Sequence, residues 1–370
     1  MKKSNVACFG LGVDQLFFLK KLRNDYNIIG FDHNLNCAGK KYVKELYSTN
    51  FKKKNQILNI LKKKKIIKIF SFATEAPIAL IGFLNKKLNL RGSMENISLS
   101  ICNKYKMRLK LKDKVLQPKF YSSITKKNLK KKIIIKPLTG SASENISFMK
   151  NNNFVKNKNK FYFEEFILNG DMYAIDGFCI NGQFKHVSLS KKIKSTANIF
   201  LDKIIKFNIK NNKILKLAIN CAQKHCEILN VVNEPIHFEF LLKKNKIYSI
   251  DFHIRGPGSG IYSYLMNNIT DPNIYIIQKN LDKNILFKLK KNFYTYVYFI
   301  NTTNELNYFK NNFRNKNIKY TLKMWKQIKK FKNTKNTTRD RLGVIYFIFN
   351  RQKSFAKGAR YLDSFFKGNI

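Results

Sequence analysis

Acidic residues are scarce in this chain: 22 Asp and Glu stand against 72 Lys and Arg in 370 residues, a formal net charge of +50 at pH 7. Glycine (16) and proline (6) are also few, which excludes collagen-like and low-complexity architectures. No run of 18 apolar residues occurs, so no transmembrane helix is expected and no membrane partner is implied. The six cysteines are spread along the chain, a poor disulfide framework that points to a reducing cytoplasm. Met1-Lys2-Lys3 followed by Val6 to Leu11 faintly mimics a signal peptide, but Asp14 and Gln15 interrupt it and no small-residue cleavage site follows. Cys221, His225 and Cys226 share a helical spacing that suits a core face better than a metal site, because no second ligand cluster accompanies them.

Apolar residues are plentiful. A hydrophobic content of 44%, with 32 Phe and 18 Tyr, supports sizeable cores and excludes a disordered basic tail. The length suggests two or three domains. The charge invites a nucleic-acid or anionic-membrane reading. Against it, Lys, Asn, Ile, Phe and Tyr are all abundant, as an AT-rich coding sequence would give. Lysine runs occur at Lys52 to Lys54, Lys62 to Lys65 and Lys130 to Lys132, with the rest scattered. The excess is therefore read as a solvated lysine surface, and no specific nucleic acid is expected.

Residues 1–92 alternate strand and helix. Strands are expected at Asn5 to Phe9, Asn27 to Phe31 and Ile66 to Phe70, with helices at Asp14 to Arg23 and near Pro77 to Leu84. That alternation implies a parallel, doubly wound α/β unit. Helical spacing runs on from Glu95 to Lys110. Beyond Lys131 the character is α+β, with strands at Ile133 to Lys136, Phe161 to Glu164, Met172 to Ile180, Gln183 to Leu189, Pro235 to Leu242 and Lys246 to Asp251. Asn181-Gly182 and Lys244-Asn245 are hairpin turns. Asn211 to Leu229 is an amphipathic helix, and Lys150 to Lys160 reads as an exposed turn. Strands Tyr294 to Ile300, Ile318 to Leu322 and Gly343 to Phe349 precede a terminal helix, Asn350 to Phe366.

Four motifs carry chemistry. Gly10-Leu11-Gly12-Val13-Asp14-Gln15 opens a helix, with Asp32 about 20 residues on, but Gln15 stands where a dinucleotide fingerprint needs its third glycine. Lys136 ends a strand and leads into Thr139-Gly140-Ser141-Ala142-Ser143, small residues that let backbone amides approach phosphate. It equally fits an ordinary strand end. Glu164-Glu165-Phe166-Ile167 with Asp171 suits either a base-and-ribose connector or a charged turn. Glu239 lies inside the apolar Phe238 to Leu242, and Asp251-Phe252-His253-Ile254-Arg255 follows, running into Gly256-Pro257-Gly258-Ser259-Gly260. In a hairpin the two carboxylates can share a face and would repel unless a cation lies between them, as Mg²⁺ bound to nucleotide phosphates does. Arg255 can stabilise charge on a transferring phosphoryl group. A surface hairpin with an internal salt bridge is the rival.

In order and spacing, these elements resemble the carboxylate–amine ligase branch of the ATP-grasp superfamily over nearly the whole chain. The resemblance implies a pre-ATP-grasp Rossmann-like α/β domain at 1–98, a small lid lobe at 99–166 and a large α+β catalytic lobe at 167–370. It implies ATP, with Mg²⁺ or Mn²⁺. Lys104 and Lys136 match the nucleotide-binding lysines, Gly140, Ser141 and Ser143 the phosphate loop, Glu164, Glu165 and Ile167 the adenine connector, and Asp171 the ribose-binding acid. Glu239, Asp251 and His253 stand at the metal positions, and Arg255 with Lys136 at the catalytic ones. The family usually has Glu at 251 and Asn at 253, and an imidazole is a poorer Mg²⁺ ligand than an amide oxygen. The reaction implied makes an acyl phosphate from a carboxylate and joins it to an amine, with a homodimer as one allowed assembly. Carboxylating or phosphorylating ATP-grasp chemistry, or a nucleic-acid- or nucleotide-binding protein without ligase activity, are the alternatives.

Overall fold

Short apolar strands joined by helices build the first layer. The computed structural model describes residues 3–125, 131–149, 158–290, 292–326 and 337–367. Lys130 and positions 150–157 of the expected exposed turn lie outside the described residues. Strands β1 (Asn5–Phe9), β2 (Asn27–Asp32), β3 (Glu45–Ser48) and β4 (Lys68–Phe70) form a parallel sheet in the order β3-β2-β1-β4. Two elements here were not expected: β3 and the helix Lys54–Lys63. The strand is four residues long and only half-buried, so it carries little apolar pattern. The helix hides its apolar face, Ile57, Leu58 and Leu61, among lysine runs that cover its solvent side. The expected helical run from Glu95 to Lys110 is two helices, Glu95–Cys102 and Lys104–Leu111. Asn103 breaks it, because its extended backbone lets the side chain cap the second helix at the Lys106 N–H.

The small antiparallel sheet orders β5 (Phe120–Tyr121), β6 (Ile133–Pro137), β7 (Ser147–Phe148) and β8 (Phe161–Glu165) as β5-β8-β6-β7. The large sheet is antiparallel with eight strands: β9 (Asp171–Ile180), β10 (Gln183–Lys194), β11 (Asp202–Phe207), β12 (Glu234–Lys243), β13 (Lys246–His253), β16 (Tyr294–Ile300), β17 (Tyr320–Met324) and β18 (Gly343–Phe349). A ribbon of β14 (Thr270–Asp271) and β15 (Lys288–Leu289) stands apart. Asn181 and Gly182 both take positive φ, as the two-residue β9–β10 turn demands. The unexpected β11 reads as a mixed-charge segment in sequence, although Ile204, Ile205 and Phe207 are buried.

Side chains alternate across each strand, and this places the site. One face of the large sheet presents Tyr173, Ile175, Leu189, Phe238, Phe240 and Phe252 to the helix Asn212–Ile228. His225 on that helix is fully buried, with Nδ1 2.7 Å from the Cys221 carbonyl and Nε2 2.8 Å from Ser249 Oγ, so it is a satisfied core histidine. The opposite face is divided. At one end Phe178, Val187, Ile205 and Phe299 join Phe18, Phe70 and Phe72 of the N-terminal domain in a single core. At the other end the same face is polar. The two domains thus share a core that fixes the N-terminal loops over the polar end. Replacing Phe238 by Ala, between His225 and Phe252, should cost about 3–5 kcal/mol. A drop in the urea midpoint that, multiplied by an unchanged slope, gives that free energy checks it.

Candidate functional site

The polar end of the large sheet gathers six of the chain's 22 acids: Glu75, Glu164, Asp176, Asp202, Glu239 and Asp251. Glu239 and Asp251 are direct cross-strand partners in the β12–β13 register, so the two carboxylates do share a face. Each meets a lysine. Lys104, at the start of its helix, donates to Asp251, and Lys192 of β10 donates to Glu239. Lys192 also lies 2.8 Å from Asp202, which Lys194 holds from its other oxygen at 2.7 Å. Burial alone would raise the Glu239 pKa, but Lys192 and His237 hold it well below the ordinary carboxylate range. Asp251 is likewise depressed against its burial, by His253 and Lys104.

Two histidines stack between the acids, with ring centroids 5.8 Å apart. His237 reaches Asp176 at 2.6 Å through Nδ1 and Glu239 at 3.0 Å through Nε2. Burial opposes its charge, but the flanking carboxylates of Asp176 and Glu239 raise its pKa. His253 lies 3.3 Å from Asp251 through Nε2. Its Nδ1 is 2.8 Å from Glu75 but too far off line for a hydrogen bond. Glu75 comes from the loop after β4 and accepts from Arg255 Nε at 2.7 Å. Its burial would raise its pKa, yet His253 and Arg255 bring it down to about 2.

A second ion cluster roots the small antiparallel sheet. Arg108 is fully buried and donates to Glu164 at 2.7 Å and to the carbonyls of Ser249 and Ile250 at 2.8 and 2.6 Å. Lys136 meets the other Glu164 oxygen at 2.7 Å, and the Tyr162 hydroxyl donates to the same carboxylate. Despite burial, Arg108 and Lys136 hold Glu164 at about 2. The connector residues therefore separate. Glu164 points inward, Glu165 faces Tyr121 and Lys131 at the lobe's edge, and Ile167 is half-buried. Asp171 is 57% exposed and pairs with Lys191 at 3.0 Å.

The loop after Lys136 is fastened across the site. Gly140, Ala142, Ser143 and Asn145 all take positive φ, a conformation in which Ala and Ser are strained. Ser143 Oγ donates to the Phe200 carbonyl at 2.8 Å, the Thr338 N–H donates to Ala142 O at 3.1 Å, and Arg339 pairs with Glu144 at 3.0 Å. A side chain at Gly140 would meet open space. The turn after Arg255 is engaged as well: Asp14 accepts from the N–H groups of Ser259 and Gly260, each at 3.1 Å. It is a buried carboxylate seated in a backbone nest.

No curated protein sequence matches the chain. Residues 101–256 match the family model described as an ATP-grasp domain. The chain carries an ATP-grasp domain. Three solved structures share its architecture. The L-amino acid ligase from Bacillus licheniformis is 16% identical, with a TM-score of 0.77 over 98% of both chains. The phosphoribosylglycinamide synthetase from Anaerococcus prevotii is 15% identical, with a TM-score of 0.73 over 98% of both. The N5-carboxyaminoimidazole synthetase from Staphylococcus aureus complexed with ADP is 14% identical, with a TM-score of 0.72 over 100% of this chain and 99% of that one. At such identities the likeness shows the fold: a parallel N-terminal sheet followed by the antiparallel sheets of the ATP-grasp domain. Among the described residues no helix is long and apolar enough to cross a membrane.

Among the described residues, no three His, Cys, Asp or Glu side chains form a metal cage. Two hard carboxylates paired across strands do fit one Mg²⁺ that completes its shell with water and phosphate oxygens. His253 adds a softer donor whose two nitrogens already face carboxylates. Sequence reasoning missed Arg108, Glu75, Asp176, Lys192, Asp202, His237 and Arg341. A signal existed for several. Ser188, Ser190, Lys192 and Lys194 alternate along one strand, and Asp176 and His237 interrupt apolar ones, which marks a polar sheet face.

The depressed carboxyls set a pH dependence. Glu75 and Glu164 titrate at about 2 when folded, against an ordinary 4.5, so their stabilisation is full above 4.5 and is lost as pH falls toward 2. Glu75→Gln should make the fall in urea midpoint between pH 5 and pH 2.5 shallower than in the parent chain.

Proposed function

We propose that this ATP-grasp protein is an ATP-dependent ligase that activates a carboxylate as an acyl phosphate and joins it to an amine, releasing ADP and phosphate. The observation that carries the reading is the cross-strand pair Glu239 and Asp251 with Lys104, Lys136 and Arg255 around it. A chain so rich in lysine has many sites for an anion, but few for a carboxylate pair. When bound between those acids, Mg²⁺ would neutralise phosphate charge and align the terminal phosphoryl group.

The residues divide the work. Lys104 and Lys136 exchange their carboxylate partners for phosphate oxygens, and the amides of Gly140 to Ser143 cover the phosphates. Glu164, Glu165, Ile167 and Asp171 border the nucleoside end. A substrate carboxylate oxygen attacks the terminal phosphorus, and the bond to the bridging oxygen breaks as ADP leaves. Arg255, which pairs with Glu75 in the structure, would offset the charge developing on the transferred group. The amine then attacks the acyl carbon, the C–O bond to phosphate breaks, and the amine proton passes to solvent. No side-chain nucleophile is required. The fastened loop excludes water, which would hydrolyse the acyl phosphate.

Incubation with ATP, Mg²⁺, a pool of carboxylates and hydroxylamine should give ADP and a hydroxamate in equal amounts. Glu239→Ala and Arg255→Ala should each lower the rate by about a hundredfold or more. ADP release unchanged by both substitutions would remove the site assignment.

A further inference from the structure

A cavity of about 80 Å³ lies outside the carboxylate cluster, where β4, the start of β12 and the helix Ile274–Lys279 meet. Its wall includes Asn85, Ser93, Ser98, Glu234 and an ion group in which Lys68 and Arg91 both meet Asp282. Three buried oxygens there have no hydrogen-bond partner: Asn85 Oδ1, Ser93 Oγ and Ser98 Oγ. The Asn85 amide nitrogen donates to the Ser93 carbonyl at 3.1 Å, which leaves its oxygen unanswered. The Ser93 N–H donates to Glu234 at 2.9 Å, and the Ser93 hydroxyl faces that carboxyl without closing a second bond. Lys68 is spent elsewhere, on Asp282 at 2.9 Å and the Lys279 carbonyl at 2.7 Å. Two glycines keep the wall open. A Cβ at Gly92 would come within 2.6 Å of the Asn85 amide, and one at Gly82 within 2.5 Å of Ser98 Oγ.

We propose that this cavity binds a small monovalent cation of the size of ammonium or potassium. Everything unpartnered in it is oxygen, and each oxygen can accept a hydrogen bond or ligate a cation. Glu234 is the one carboxylate of the wall with no cation at ion-pair distance among the described residues, and a single monovalent ion beside it matches its one charge. Burial pushes its carboxyl up to about 7, which the Ser93 N–H and Lys68 only partly offset, as expected of an acid lacking its counter-charge. Water would satisfy the oxygens but leave the charge uncompensated. The ion would tie the N-terminal domain to the large sheet one residue from Arg255, because Ile254 forms part of the same wall.

The test reads folding and not catalysis, so it stands apart from the ligase proposal. Melting of the full chain is followed at pH 8 in ammonium, potassium and tetramethylammonium chloride at equal ionic strength. A saturable rise in Tm in ammonium or potassium, absent in tetramethylammonium, is expected, and the lower half-saturation identifies the ion. Glu234→Gln should abolish the saturable part. Ser98→Ala, which keeps the charge, should weaken it severalfold and serves if the first variant misfolds. The same response in all three salts, or an unchanged response in both variants, would overturn the proposal.

Discussion

Lysine–carboxylate pairing on one face of the large sheet is the constraint on which the rest depends. An uncompensated buried charge is expensive, and removing one member of a buried pair costs about 3–5 kcal/mol. Five of the six acids of the polar face therefore meet a Lys or Arg: Lys104 for Asp251, Lys192 for Glu239 and Asp202, Lys136 and Arg108 for Glu164, and Arg255 for Glu75, while Asp176 meets His237. These pairs cross every boundary of the molecule. Lys104 on Asp251 and Arg108 on the Ser249 and Ile250 carbonyls tie the small-sheet lobe to the large sheet, and Glu75 ties the N-terminal domain to Arg255. The same contacts hold the fold and charge the site.

Such pairs are also exchangeable. Lys104 and Lys136 present their ammonium groups to carboxylates where a polyphosphate would present oxygens instead. A cation between Glu239 and Asp251 would compete with lysine for the same atoms. Binding would then swap partners and leave no charge bare, which limits the reorganisation the fold must undergo. Asp14 fits the same pattern, as a carboxylate of the chain seated on the N–H groups of Ser259 and Gly260.

Much of this was legible in the sequence, for reasons that differ by element. Strands such as β1 and β16 carry unbroken apolar runs, and the Asn181-Gly182 turn has one conformation open to it, so both read directly. Glu239 and Asp251 stood out because acids are rare here and apolar neighbours surround them. The strand β3, the lysine-covered helix Lys54–Lys63 and β11 did not read, since their apolar positions are few or masked by charge. Glu75, Arg108 and Arg341 were invisible for another reason. Arg341, buried and held by Asp202 O at 2.6 Å, lies 139 residues from its partner. Glu75 meets Arg255 across 180 residues and Arg108 meets Glu164 across 56. The shared core of the two domains seats Glu75 against Arg255, and the packing of helices and sheets beyond residue 98 joins the other two pairs. The surplus lysines lie mostly outside these pairs, and the +50 charge remains a property of the surface and not of the site.

The most direct test is a crystal structure of the full chain with a non-hydrolysable ATP analogue and Mg²⁺. The account requires the triphosphate at the polar face, Lys104 and Lys136 moved from Asp251 and Glu164 onto phosphate oxygens, and the metal ion between Glu239 and Asp251. A nucleotide bound elsewhere, or one bound there with all four side chains still paired as now, would contradict it.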